Sequence, residues 1–187
     1  MKLYEKLPDR ITVGKKKVKV DLDFRNVLRM MEILSNDKLY PESREWLALK
    51  CICRRPVKGM FPPVKKLLFP EAGDHEKITD FEQDADLIIS AFRQVYGIDL
   101  YRDRLHWIEF CCLLGCIPEG NRFSDVISIR TRPIPAATQY NTEERSWLIR
   151  AKAEVALKQT EAEQKASYAK GVRMLGSLLK SLAEKGD

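Results

Sequence analysis

The groups in this chain with the most chemistry to offer are its five cysteines and two histidines. Cys51-x-Cys53 and Cys111-Cys112-x-x-x-Cys116 could in principle donate thiolates to a metal. Zinc ligand pairs usually stand about two to four residues apart, on turns that let the sulfurs converge. Here Cys112 and Cys116 are one turn apart on an apolar helical stretch, and Cys111 points about a quarter-turn away. The expectation is reduced, buried thiols that serve packing; their odd count and the lack of a secretory pattern agree. His75 stands in a polar loop between Asp74 and Glu76, while His106 precedes Trp107 and reads as a satisfied boundary histidine. Glu109 interrupts an apolar helix and is expected on its one wet strip, or paired with Arg102 or Arg104. Asp80, Glu82, Asp84 and Asp86 crowd the first turns of a predicted helix, where the macrodipole favours negative charge without any metal. No nucleophile elbow, phosphate-cradling glycine loop or dinucleotide pattern appears. These residues predict a binding protein, with no catalytic residue, metal or cofactor.

Charge points the same way. Lys and Arg number 33 against 27 Asp and Glu, a net +6, and charge of both signs is spread along the chain. The densest positive cluster is Arg54, Arg55, Lys58, Lys65 and Lys66. It is a candidate basic patch, but without a recognition motif nucleic acid is not the expected partner. Lys15 to Lys17 read as a solvated turn. The start, Met1-Lys2-Leu3-Tyr4-Glu5-Lys6, contains no apolar leader core, and no stretch nears the roughly 20 apolar residues of a membrane span. A soluble protein that stays in the compartment of its synthesis is expected.

The elements that must position these groups are mostly helical. Ile11-Thr12-Val13 and Val18-Lys19-Val20 alternate around a Gly14 turn and predict a small hairpin. Asp21 or Asp23 can cap a helix whose face is Phe24, Val27, Leu28, Met31 and Leu34. Another helix starts near Pro41 and runs toward Cys53. Prolines then limit the next segment to a short helix near Val64 to Phe69. Thr79 with Glu82 suggests a capping box for a helix carrying Phe81, Ala85, Ile88, Phe92 and Val95, with Gly97 as its left-handed stop. Leu105 to Cys116 is apolar nearly all round, as in a central buried helix. A short helix with Phe123, Val126, Ile127 and Arg130 follows, then a proline connector. Asn141 with Glu144 marks a last capped start. Beyond a polar gap, Tyr168, Val172, Leu175, Leu179 and Leu182 form a near-heptad seam and are the candidate partner-binding residues. The fold class expected is mainly α: a compact helical domain over residues 1–158 with a small N-terminal β-hairpin, and a long amphipathic helical extension over 159–187.

Several of these stretches resemble the bacteriophage "gene product fifteen" family. They are the Phe92 to Leu100 run, Leu105-His106-Trp107-Ile108-Glu109-Phe110, Ile117-Pro118, Ile129-Arg130, the Leu7-Pro8-Asp9 opening with Asp23-Phe24-Arg25, and Glu144-Arg145 with Lys152 and Ala156-Leu157. The likeness covers residues 5 to 158, with Ile108 standing where many relatives carry a second aromatic. It implies a tail assembly chaperone of tailed phages or prophages, acting in the bacterial cytoplasm. Its partner would be the long helical tape measure protein or another helical tail protein, and a second copy of the chain is a further candidate. Alternatives are a structural tail or neck component and a basic nucleic-acid-binding adaptor.

Overall fold

The computed structural model describes residues 5–69 and 77–158. The chain divides into two compact units, Met1–Pro133 and Ile134–Asp187. Among the described residues it is mainly α, as expected, with one two-stranded sheet.

In the first unit, β1 (Arg10–Val13) pairs antiparallel with β2 (Lys16–Lys19), with Ile11 opposite Val18 and Arg10 opposite Lys19. Gly14 turns the corner at φ +58°, a backbone region where a side chain would be strained. The alternation puts Ile11 inside and leaves the lysines in water. Helix α1 (Phe24–Ser35) starts where predicted, because the Asp23 carboxylate accepts the free Arg25 N–H at 3.1 Å. Helix α2 (Pro41–Ile52) packs against α1, and Arg44 braces their connection by donating to the Leu34 carbonyl and pairing with Asp37.

Helix α3 (Phe61–Leu68) begins earlier than the prolines led us to expect. Pro62 and Pro63 fall in its first turn, where a missing N–H costs no hydrogen bond. Helix α4 (Ala85–Tyr96) begins later than expected, and Thr79 does not cap it. The Asp80 carboxylate takes the N–H groups of Glu82 and Gln83 at 2.9 and 2.8 Å, closing a separate turn before the helix. Gly97 ends α4 at φ +68°, donating back to Arg93.

Helix α5 (Trp107–Gly115) is shorter than the apolar run and is buried on one side, not all round. Trp107 and Phe110 face the core. Cys112 follows Phe110 by two positions, about 200° around the axis, and is exposed. The buried-thiol expectation is corrected accordingly: Cys53 is buried, Cys51 and Cys111 are half-buried, and Cys112 and Cys116 reach solvent. Helix α6 (Arg122–Thr131) has a true capping box, formed by Asn121 and Ser124. The core gathers around Phe110, which stacks on Phe24 at 4.7 Å, Phe92 at 5.2 Å and Trp107 at 5.8 Å between centroids. Offset aromatic pairs of this kind add about 0.5–1.5 kcal/mol beyond area burial.

In the second unit, α7 (Thr142–Glu154) carries Glu143 and Glu144 in its first turn. Asn141 does not cap it; its side chain turns back, accepting from Thr138 N and donating to the Ala136 carbonyl. The proline connector has already engaged it. The proposed seam from Tyr168 to Leu182 and His75 lie outside the described residues.

A candidate apolar docking cleft

Between α1, α4 and α5 lies an open cleft of about 240 Å³. Phe24 and Leu28 form one wall, Ala85, Ile88 and Ile89 another, with Phe81 and Phe110 at the base and Leu100 and Tyr101 at the lip. The volume falls below the roughly 300–1,000 Å³ of small-molecule sites. Its lining is hydrocarbon and ring faces, which suits insertion of apolar side chains from another chain.

The lip is held by charge. Arg25 Nη2 donates to the carbonyls of Leu100 and Asp103 at 2.8 and 2.7 Å, while Nη1 reaches Asp23 at 3.3 Å. The same guanidinium lies 4.8 Å from the Phe24 ring centroid, a cation–π arrangement. Asp99 accepts the Tyr101 N–H at 3.0 Å and pairs with Arg93 at 3.0 Å. That backbone hydrogen bond, with Arg93 and Arg102 nearby, holds the Asp99 carboxyl below the ordinary carboxylate value. The turn therefore has a fixed shape and presents Tyr101, 72% exposed, to solvent.

A second, more polar recess of about 180 Å³ is lined by Pro8, Asp9, Asp21, Asp23, Arg104 and His106, among others. Arg104 binds both oxygens of Asp21 at 2.9 and 2.8 Å and reaches Asp23 at 3.3 Å. His106 caps α5: Nδ1 accepts the Ile108 N–H at 3.2 Å, which places the ring proton on Nε2, 3.1 Å from the Pro8 carbonyl it can donate to. Backbone bonds from Phe24 N to Leu105 O and from Trp107 N to Leu22 O close the seam. Asp21 and Asp23 are occupied with arginines and a helix cap, and the recess has the organisation of a joint.

Asp84, read with Asp80, Glu82 and Asp86 as an acidic cluster explained by the helix dipole, has a specific partner instead. It is buried, and Arg130 of α6 binds both its oxygens. Glu109 is exposed, on the wet strip expected for it. The five cations Arg54, Arg55, Lys58, Lys65 and Lys66 are all exposed. Among the described residues no three or more His, Cys, Asp or Glu side chains converge as a metal site, and no helix is long and apolar enough to cross a membrane.

Of the cleft residues, Phe24, Leu28, Phe81, Ala85 and Ile88 belong to the predicted apolar stripes. Arg25, Ile89 and Tyr101 lie outside those stripes, and none of the cleft residues is among the candidate partner-binding residues read from the sequence. The adjacent pair Ile88-Ile89 carried a signal, since one stripe cannot bury two successive residues equally.

A model of the family described as Bacteriophage Gp15 protein matches residues 56–157. The match spans the cleft's α4, lip and α5 residues, while Phe24, Arg25 and Leu28 precede it. No curated protein and no solved structure matches the chain.

Proposed function

The chain belongs to the bacteriophage Gp15 protein family, and from that premise we propose that it is a tail assembly chaperone. It binds the tape measure protein in the bacterial cytoplasm and keeps it soluble during tail morphogenesis. The observation that supports this reading is the apolar cleft, whose half-buried Leu28 and Ile89 and exposed Tyr101 surround a base where Phe81 meets Phe110. An amphipathic helix binds such a surface by inserting side chains spaced three and four residues apart. In this role the protein acts as a holder.

Co-expression with a tape measure fragment tests the reading. The fragment should become soluble and co-elute with the protein on a sizing column. Ile89→Glu and Leu28→Glu, which place a charge in the cleft, should abolish co-elution while the protein remains folded by circular dichroism. A fragment that behaves identically with and without the protein would sink the chaperone reading; retained binding by both variants would move the contact away from the cleft.

A further inference from the structure

The positive charge of the chain is densest in two segments that fold together. Residues 10–20 contain Arg10, Lys15, Lys16, Lys17 and Lys19 and no carboxylate; residues 53–69 contain the other five cations and again no carboxylate. Without these ten, 23 cations would face 27 acids, and the chain would be net negative. In the structure α3 packs against β1. The exit of the hairpin is tied to the end of α2 by a 2.7 Å bond from Asp21 N to the Ile52 carbonyl, just ahead of Arg54 and Arg55. All ten side chains are exposed, and among the described residues none forms an ion pair. Arg25, Arg44, Arg93, Arg102, Arg104 and Arg130, all elsewhere, each pair with an aspartate. Asp21, the nearest acid after the hairpin, is engaged by Arg104.

Two details bear on what this surface meets. Arg10 and Lys19 are directly opposite each other across the strands, a like-charge pair that destabilises a hairpin. Lysines on a sheet edge discourage strand pairing, but that does not account for the cations of the loop and α3. The large hydrophobics that are exposed among the described residues all lie outside both segments. Protein interfaces are organised around buried apolar anchors and are depleted of lysine, whereas nucleic-acid interfaces are polar and strongly positive. We infer that the hairpin and the 54–66 segment form one continuous surface that binds the phosphate backbone of nucleic acid without reading sequence. Lysine dominates it, supplying point charges in place of the bidentate forks used to read bases.

Fluorescence anisotropy of the full chain with a mixed-sequence DNA duplex of about 30 bp tests this. Affinity should fall about a hundredfold or more between roughly 50 and 200 mM salt, the signature of counterion release by several phosphate contacts. Neutralising the hairpin (Lys15→Gln, Lys16→Gln, Lys17→Gln) and neutralising the second segment (Arg54→Gln, Arg55→Gln, Lys65→Gln, Lys66→Gln) should each weaken binding at least tenfold. A control pair, Lys38→Gln with Arg122→Gln, should change it less than twofold. Circular dichroism and melting curves establish that every variant is folded. No binding at low salt, equal loss in the control, or sensitivity to only one of the two clusters overturns the inference. Binding of polyglutamate as tight as that of the duplex overturns it in favour of an acidic protein.

Discussion

Arg130 of α6 meets Asp84, just ahead of α4, through two parallel bonds, Nη1 to Oδ2 at 2.7 Å and Nη2 to Oδ1 at 2.8 Å. The two side chains are only 9% and 2% exposed. Arg130 also donates to the Ile78 carbonyl at 3.1 Å, and Asp84 accepts the Asp80 N–H at 3.0 Å, so the fork ties the turn before α4 to α6. That turn carries Phe81 into the base of the cleft.

Removing one partner leaves the other charge buried, at a cost of about 3–5 kcal/mol. Arg130→Met and Asp84→Leu are each expected to lower stability by that order in urea titration. The double variant should cost much less than the sum of the two, because no unpaired charge remains. Simple additivity would show that the pair does not act as a unit.

The same pair sets an acid limit. Burial pushes the Asp84 carboxyl up, but the Arg130 hydrogen bonds and charge, together with the Asp80 N–H, bring it below its ordinary 3.8. The Lys77 ammonium likewise lowers Asp80. A carboxyl depressed in the folded state contributes stability that is fully present above its unfolded value and is lost as pH falls through the folded one. Urea midpoints should be flat in this contribution down to about pH 5 and decline below about pH 4. In Arg130→Met the Asp84 carboxyl keeps its burial and loses its cation, so the penalty of that variant should shrink on acidification. A constant gap between variant and parent at all pH values would refute the assignment.

His106 joins α5 to the strand entry at Pro8 through its two ring nitrogens. His106→Ala should cost about 1–2 kcal/mol, a lost helix cap plus a lost hydrogen bond. His106→Asn should recover the cap portion, since asparagine accepts well at this position. Melts that do not distinguish Ala from Asn would show that capping is not the contribution of the ring.

The cysteines should separate by reactivity. Burial, with Cys112 beside it, pushes the Cys111 thiol up to about 11, and burial also raises Cys51. At pH 8 Cys111 would be about one part in a thousand thiolate. Timed iodoacetamide labelling with peptide mass spectrometry should modify exposed Cys112 and Cys116 first and Cys111 and Cys53 last. Early labelling of Cys111 would contradict its placement.

Much of the architecture was legible from local pattern. The α1 face, the Asp23 cap, the Gly97 stop, the hairpin and the short α6 all follow from interactions within one turn or one strand pair. Half of the cleft was legible for the same reason, as apolar stripes on α1 and α4. The errors arose where a neighbouring or a distant segment competes with the local pattern for one group or one face. Asp84 reads locally as one of four acids favoured by the helix dipole, but its partner Arg130 lies 46 positions away. Asn141 looked like a cap until the connector took its side chain. The α5 run was apolar enough to be buried all round, but only its Trp107 and Phe110 side met a partner layer.

From the sequence by itself came the helical class, the family likeness and the set of cations, because periodicity, caps and composition are local or additive properties. The tertiary structure alone decided that α1, α4 and α5 leave an apolar cleft among them, that Arg25 braces its lip, and that α3 packs against the basic hairpin. Those relations depend on which distant side chains come within a few ångströms, and packing determines that.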